Sequence, residues 1–103
     1  MALQSITELF DLSGKGAVVT GGAMGIGQAI AFRLAEAGAG VMIADIDLEA
    51  ADKTAKEILS QGGKAQAIKA DASSGDDAKK VIQATVEGFG SLDILVNNAG
   101  IFP

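Results

Sequence analysis

Four short apolar runs alternate with longer stretches in which apolar residues recur at helical spacing. The runs are AVVT (17–20), VMIA (41–44), AQAIKA (65–70) and LDILVN (92–97). They start 24, 24 and 27 residues apart, which leaves room for one helix between each pair. Strands alternating with helices imply the α/β class, with a parallel sheet and right-handed crossovers. The first, second and fourth runs are apolar on consecutive residues, as strands buried on both faces are. The third carries Lys64, Gln66 and Lys69. Charge of that kind suits a sheet edge, where it discourages further pairing.

The first helix is expected over 25–37, with Ile26, Ala29, Ile30, Leu34 and Ala37 facing inward and Gly38 as its stop. The second starts at Asp47, a plausible N-cap, and ends at Gly62-Gly63. It turns Leu48, Ala51, Ala55, Ile58 and Leu59 inward. The third opens with Ser74 and Asp77 at capping-box spacing, with Ala78, Val81, Ile82, Thr85 and Phe89 inside. A short helical turn is expected over 4–10. No linker or low-complexity tract interrupts the pattern.

Between the first run and the first helix, four glycines fall in seven positions: Gly21, Gly22, Gly25 and Gly27. Glycine is costly inside regular structure, so the turn requires it for a reason. The connection lies at the C-terminal edge of a parallel sheet, where ligands bind. Free N–H groups and the helix dipole favour an anion there. A side chain at Gly25 would hold a phosphate away from the backbone. One at Gly27 would push the helix off the strand, and Gly21 permits a positive φ. Taken alone, the turn reads equally as a tight connection that tolerates glycine. Asp45 tips the balance, because it lies 18 residues beyond Gly27 at the end of the second strand. An acid at about that distance hydrogen-bonds a ribose in a dinucleotide site. No Gly-Lys-Ser/Thr follows the turn, which excludes a P-loop.

Composition narrows the chemistry. The 103 residues are 49% hydrophobic, which argues against disorder, and the net charge is −5. No basic cluster points to nucleic acid or to an anionic membrane surface. Cys, His, Tyr and Trp are all absent. Acid–base and nucleophilic chemistry is left to Asp, Glu, Lys, Ser and Thr. A metal site would need carboxylates alone, and none are suitably spaced, so no metal is expected. No run is long enough to span a membrane, and the N-terminus lacks a signal-peptide pattern. A cytoplasmic location is expected.

The glycine spacing, Thr20-Gly21-x-x-x-Gly25-x-Gly27, departs from G-x-G-x-x-G and resembles the cofactor motif of the short-chain dehydrogenase/reductase family. FDLSGK (10–15), ADAS (70–73) and NNAG (97–100) match further family segments in order and spacing. The resemblance implies half of a Rossmann doubly wound fold: a four-stranded parallel sheet, order 3-2-1-4, with three helices. It implies a nicotinamide cofactor and oxidoreductase chemistry. By matching position, Gly21, Gly25 and Gly27 form the pyrophosphate turn, joined by the backbone near Ile26. Asp45 binds the adenosine ribose diol. Asp71 and Ala72 lie beside the adenine, with a strand-end cap as the alternative role for Asp71. Asn98, Ala99 and Gly100 line the site near the ribose, while Asn97 ties the sheet together. Family members that use NADP usually place Arg or Lys where Met24 and Ile46 stand. A 2′-phosphate would also meet like charge at Asp45. NAD is therefore the expected cofactor.

The family's catalytic Ser and Tyr-x-x-x-Lys lie beyond NNAG, so no catalytic residue is expected within 1–103. The chain is expected to be one truncated N-terminal half-domain that binds dinucleotide without catalysis, with ADP or AMP competing well. The alternative is a self-associating half-Rossmann structural module without useful cofactor binding. A split enzyme completed by a second chain is a third arrangement. Ile94, Leu95 and Val96 are apolar on both faces, yet one helix alone crosses one side of the expected sheet. That predicts a homodimer through the strand-four edge and the uncovered sheet face.

Overall fold

The four apolar runs form β1 (Gly16–Thr20), β2 (Gly40–Asp45), β3 (Lys64–Lys69) and β4 (Ile94–Asn97) in the computed structural model, which describes residues 11–98. Between them lie α1 (Gly25–Glu36), α2 (Leu48–Ser60) and α3 (Gly75–Phe89). All pairings are parallel, as the alternation of runs and helices implied, and the order is β3-β2-β1-β4, as the family resemblance implied. The expected turn over 4–10 lies outside the described residues.

Register brings the functional ends of the strands together. Val18 pairs with Met42 on one side and Leu95 on the other; two residues on, Thr20 stands between Ala44 and Asn97. Alternation along each strand then divides the side chains between two layers. Ala17, Val19, Val41 and Ile43 pack against Ala31 and Ala35 of α1 and against Ala51, Ala55 and Ile58 of α2. Val18, Met42 and Ala44 pack against Val81 of α3, with Phe89 and Leu92 beside them. Edge strand β3 buries Ala65 and exposes Lys64, Gln66 and Lys69.

The helices begin and end close to the expected places, but their faces differ. Helix α1 buries Gly27, Ala31 and Ala35, a ladder of small residues spaced four apart. Ile30 and Leu34 pack only partly, and Ile26 and Ala29 are exposed. The reason is proximity: small side chains let the helix lie close on the sheet, and bulkier neighbours are displaced to its flanks. In α2 the buried set is Ala51, Thr54, Ala55 and Ile58, while Leu48 and Leu59 are exposed. In α3 only Val81 and Thr85 are buried; Ala78 and Ile82 are exposed and Phe89 is half-buried.

The caps explain where the helices start. Asp47 accepts the Ala50 N–H at 3.1 Å, and Ser74 accepts the Asp77 N–H at 3.2 Å. The reciprocal half of the expected capping box is not formed. The Ser74 N–H donates to the Asp71 carbonyl instead, at 2.9 Å. The Asp77 carboxylate reaches further back and accepts the Asp71 N–H at 2.8 Å.

Candidate functional site

The glycine turn leaves β1 at Thr20 and enters α1 at Gly25. Gly21 and Gly25 take φ of 65° and 59°, a left-handed region that an L side chain rarely adopts. Gly27 meets a different demand, because a Cβ there would strike the Gly21 carbonyl and come within 2.8 Å of Asn98 Nδ2. The constraint is the turn's own backbone, whereas the sequence pointed to the strand beneath the helix. A Cβ on Gly25 would meet nothing within 4 Å, so the space in front of the helix is open.

The turn is fastened from several elements. The Gly21 N–H donates to the Ala44 carbonyl at 2.7 Å. The Ala23 N–H donates to Asp45 Oδ2 at 3.2 Å, and the other carboxylate oxygen of Asp45 accepts the Asp47 N–H at 3.0 Å. Asn98 Nδ2 donates to the Gly21 carbonyl at 3.2 Å, and the Asn98 N–H donates to Thr20 Oγ1 at 3.0 Å. The Thr20 hydroxyl in turn lies 3.1 Å from Asn97 Oδ1 and 3.3 Å from the Val96 carbonyl. Asn97 ties β4 to β1 as expected, and Asn98 secures the turn itself.

Helix α1 starts without a side-chain cap. Met24 is its N-cap residue but makes no capping hydrogen bond, and the first turn holds no acid. The first N–H groups of a helix lack intrahelical partners and carry partial positive charge. This start therefore suits an anion supplied from outside.

A cleft of about 510 Å³ opens beside the turn, over the α3 face of the sheet. Gly21, Asp45, Asp71 and Ala72 line it, together with Thr20, Ile46, Ser73 and Asn97. Its floor and far wall are apolar, built from Val18, Val81, Ile82 and Leu95. Gly25, Ile26, Gly27 and Asn98 are not part of its lining and join it through the turn. Ile26 itself is 73% exposed. Ala99 and Gly100 lie outside the described residues.

Asp71 is held differently. Its Oδ1 accepts both the N–H and the hydroxyl of Ser73, at 2.9 and 2.7 Å. The hydroxyl bond foremost, then the backbone one, holds this exposed carboxyl below the ordinary Asp value of 3.8. Asp71 shapes the loop leading into α3 through these bonds, and it also borders the cleft.

Two contributors went unrecognised in the sequence. Thr20 stands in the motif, and its place at the end of the first run, level with Asn97 at the end of the fourth, is the signal for its bond across the sheet. Thr54 is 1% exposed and donates to the Ala23 carbonyl at 3.2 Å. The spacing 51-54-55-58 placed it inside, but an apolar count passes over a threonine.

The profile of the family described as short chain dehydrogenase matches residues 15–103. A 3β-hydroxysteroid dehydrogenase 2 from Eggerthella lenta is 44% identical over 90 residues, covering 87% of this chain and 35% of that protein. A rhamnolipids biosynthesis 3-oxoacyl-[acyl-carrier-protein] reductase from Pseudomonas aeruginosa is 54% identical over 91 residues, covering 88% of this chain and 35% of that protein. A solved 7α-hydroxysteroid dehydrogenase, complexed with NADH and 7-oxo glycochenodeoxycholic acid, superposes with a TM-score of 0.88 at 38% identity. That match covers 95% of this chain and 38% of the other. The chain thus spans about a third of the length of the curated relatives it matches.

Proposed function

The chain belongs to the short-chain dehydrogenase family, and we propose that it is the NAD-holding part of an oxidoreductase of alcohol or carbonyl groups. The observation that carries this is the uncapped, acid-free start of α1 facing open space, with the Asp45 carboxylate fixed alongside. These residues fit a dinucleotide. The N–H groups at Gly25, Ile26 and Gly27 would hold the pyrophosphate. Asp45 would accept from the ribose diol, since each of its oxygens retains a further lone pair. Asp71 would offer Oδ2 to the adenine amino group, with Ala72 against the ring. Bound there, the cofactor supplies a hydride acceptor for alcohol oxidation. The part of this chain is to bind and orient it. Nothing among its described residues is assigned the proton transfer, and the isolated chain binds without turning over.

NAD is favoured over NADP because Asp45 is anchored by two backbone N–H groups and cannot easily swing away from a 2′-phosphate. Met24 and Ile46 are exposed and uncharged where a cation would be needed. Lys69 stands opposite Asp45 in the strand register and is the cation that tighter NADP binding would implicate. Calorimetric titration with both cofactors tests this: NAD should bind more tightly, and a preference for NADP would overturn the assignment.

A second copy of the chain is the partner we propose for the α3 side of the sheet. Leu95 of β4 is 62% exposed and Ile82 of α3 48%, and Val86, four residues after Ile82 in α3, is exposed too. Among the described residues, β4 pairs with β1 alone. A two-fold pairing would bury this edge and face together. Light scattering should give twice the chain mass, and a stable monomer at micromolar concentration would contradict it.

A further inference from the structure

We propose that Thr54, in the middle of α2 and outside every cofactor motif, is a positioning residue for the pyrophosphate. This inference rests on the NAD-binding function proposed above. Ala23 sits at the centre of the glycine turn and is held from both sides. Its N–H goes to Asp45 Oδ2 at the end of β2, and its carbonyl accepts the Thr54 hydroxyl. Gln28 Nε2 donates to the same hydroxyl oxygen at 3.2 Å. One buried hydroxyl therefore joins α2, the turn and the first turn of α1.

This junction decides where the helix start points. Ala23 is followed at once by Met24 and then by Gly25, whose N–H groups begin the anion-facing set. Thr54 and Ala23 are both buried, so water cannot easily replace a lost hydroxyl, and the carbonyl would be left unpaired. The turn would then shift to recover a partner, and the N–H groups would move off the phosphates. The ribose end responds differently. Asp45 keeps its second hydrogen bond from the Asp47 N–H, and Asp71 is secured by Ser73. Loss of the hydroxyl should separate phosphate binding from adenosine binding.

The test is NMR or calorimetric titration of the purified protein with NAD, ADP and adenosine, in wild type, Thr54→Val and Thr54→Ser. Thr54→Val removes the hydroxyl at nearly constant volume. It should weaken NAD and ADP about tenfold, from the unpaired carbonyl, and leave adenosine unchanged. Thr54→Ser, which keeps the hydroxyl, should retain wild-type ADP affinity. Unchanged ADP affinity in Thr54→Val overturns the inference, as does an equal loss of adenosine and ADP, which would mark a merely structural role. If Thr54→Val does not fold, a folded Thr54→Ser that loses ADP affinity is enough to overturn it. A wild-type protein that binds none of the three ligands overturns the proposed function itself, and this inference with it.

Discussion

The glycine turn and the loop between β3 and α3 meet at the same cleft but are held by different means. The turn is fixed by partners distant in the chain: Ala44 and Asp45 from β2, Thr54 from α2, and Asn98 after β4. The loop is anchored once at a distance, by the Ala70 N–H on the Asp45 carbonyl at 2.9 Å. Beyond that point the bonds of Asp71 among the described residues go to Ser73, Ser74 and Asp77, all within six residues. The turn, to which the proposed function gives the phosphates, is thus a product of the assembled fold, and the loop, to which it gives the adenine, is mostly shaped by its own segment. A change in the first should propagate into stability and binding together. A change in the second should stay local.

The largest effect is expected at Gly27. Gly27→Ala places a methyl against the Gly21 carbonyl and Asn98. Overpacking of this kind costs about 1–3 kcal/mol. Thermal unfolding should fall accordingly, and calorimetry should detect no NAD binding. Wild-type affinity in this variant would show that the turn is looser than its bonds suggest. Next is Asp45→Asn, which keeps an acceptor but removes the charge. Hydrogen bonds to charged groups contribute about 1.5–3 kcal/mol. NAD affinity should therefore drop roughly tenfold or more, while NADP gains relative to NAD. An unaltered ratio would mean that Asp45 does not face the 2′ position.

Effects in the loop should be smaller. Asp71→Ala removes an exposed carboxylate, and ADP affinity should fall only about threefold, the size of a modest hydrogen bond. A loss as large as that of Asp45→Asn would erase the contrast between the two regions. The mildest test is acid. Folding lowers the Asp71 carboxyl below its ordinary 3.8, with the Ser73 hydroxyl bond as the main cause. Its contribution to loop order is complete above that unfolded value and is lost as pH falls through the lower folded one. The protection of the Ser73 amide, taken relative to its intrinsic exchange rate at each pH, should stay constant from neutrality down to that range and fall only below it.

The same contrast governs what could be read in advance. Strand positions and helix spans followed from run spacing and periodicity, because each is written in local residue types, whereas the strand order came with the family resemblance. On α1 the apolar count favours Ile26 for the buried face, whereas close approach to the sheet selects Gly27, Ala31 and Ala35. Ala78 and Ile82 looked internal by periodicity, yet α3 has only Val81 and Thr85 fully covered, and Ile82 borders the cleft with Leu95. Thr54 escaped because its role depends on a carbonyl 31 residues away. No local pattern announces a bond of that span.

The most direct measurement is a crystal structure of the chain grown with NAD. The pyrophosphate should lie against the backbone N–H groups at Gly25–Gly27, with the adenosine ribose on the Asp45 carboxylate. NAD bound at another surface, or a ribose turned away from Asp45, would contradict the assignment of this turn as its phosphate site.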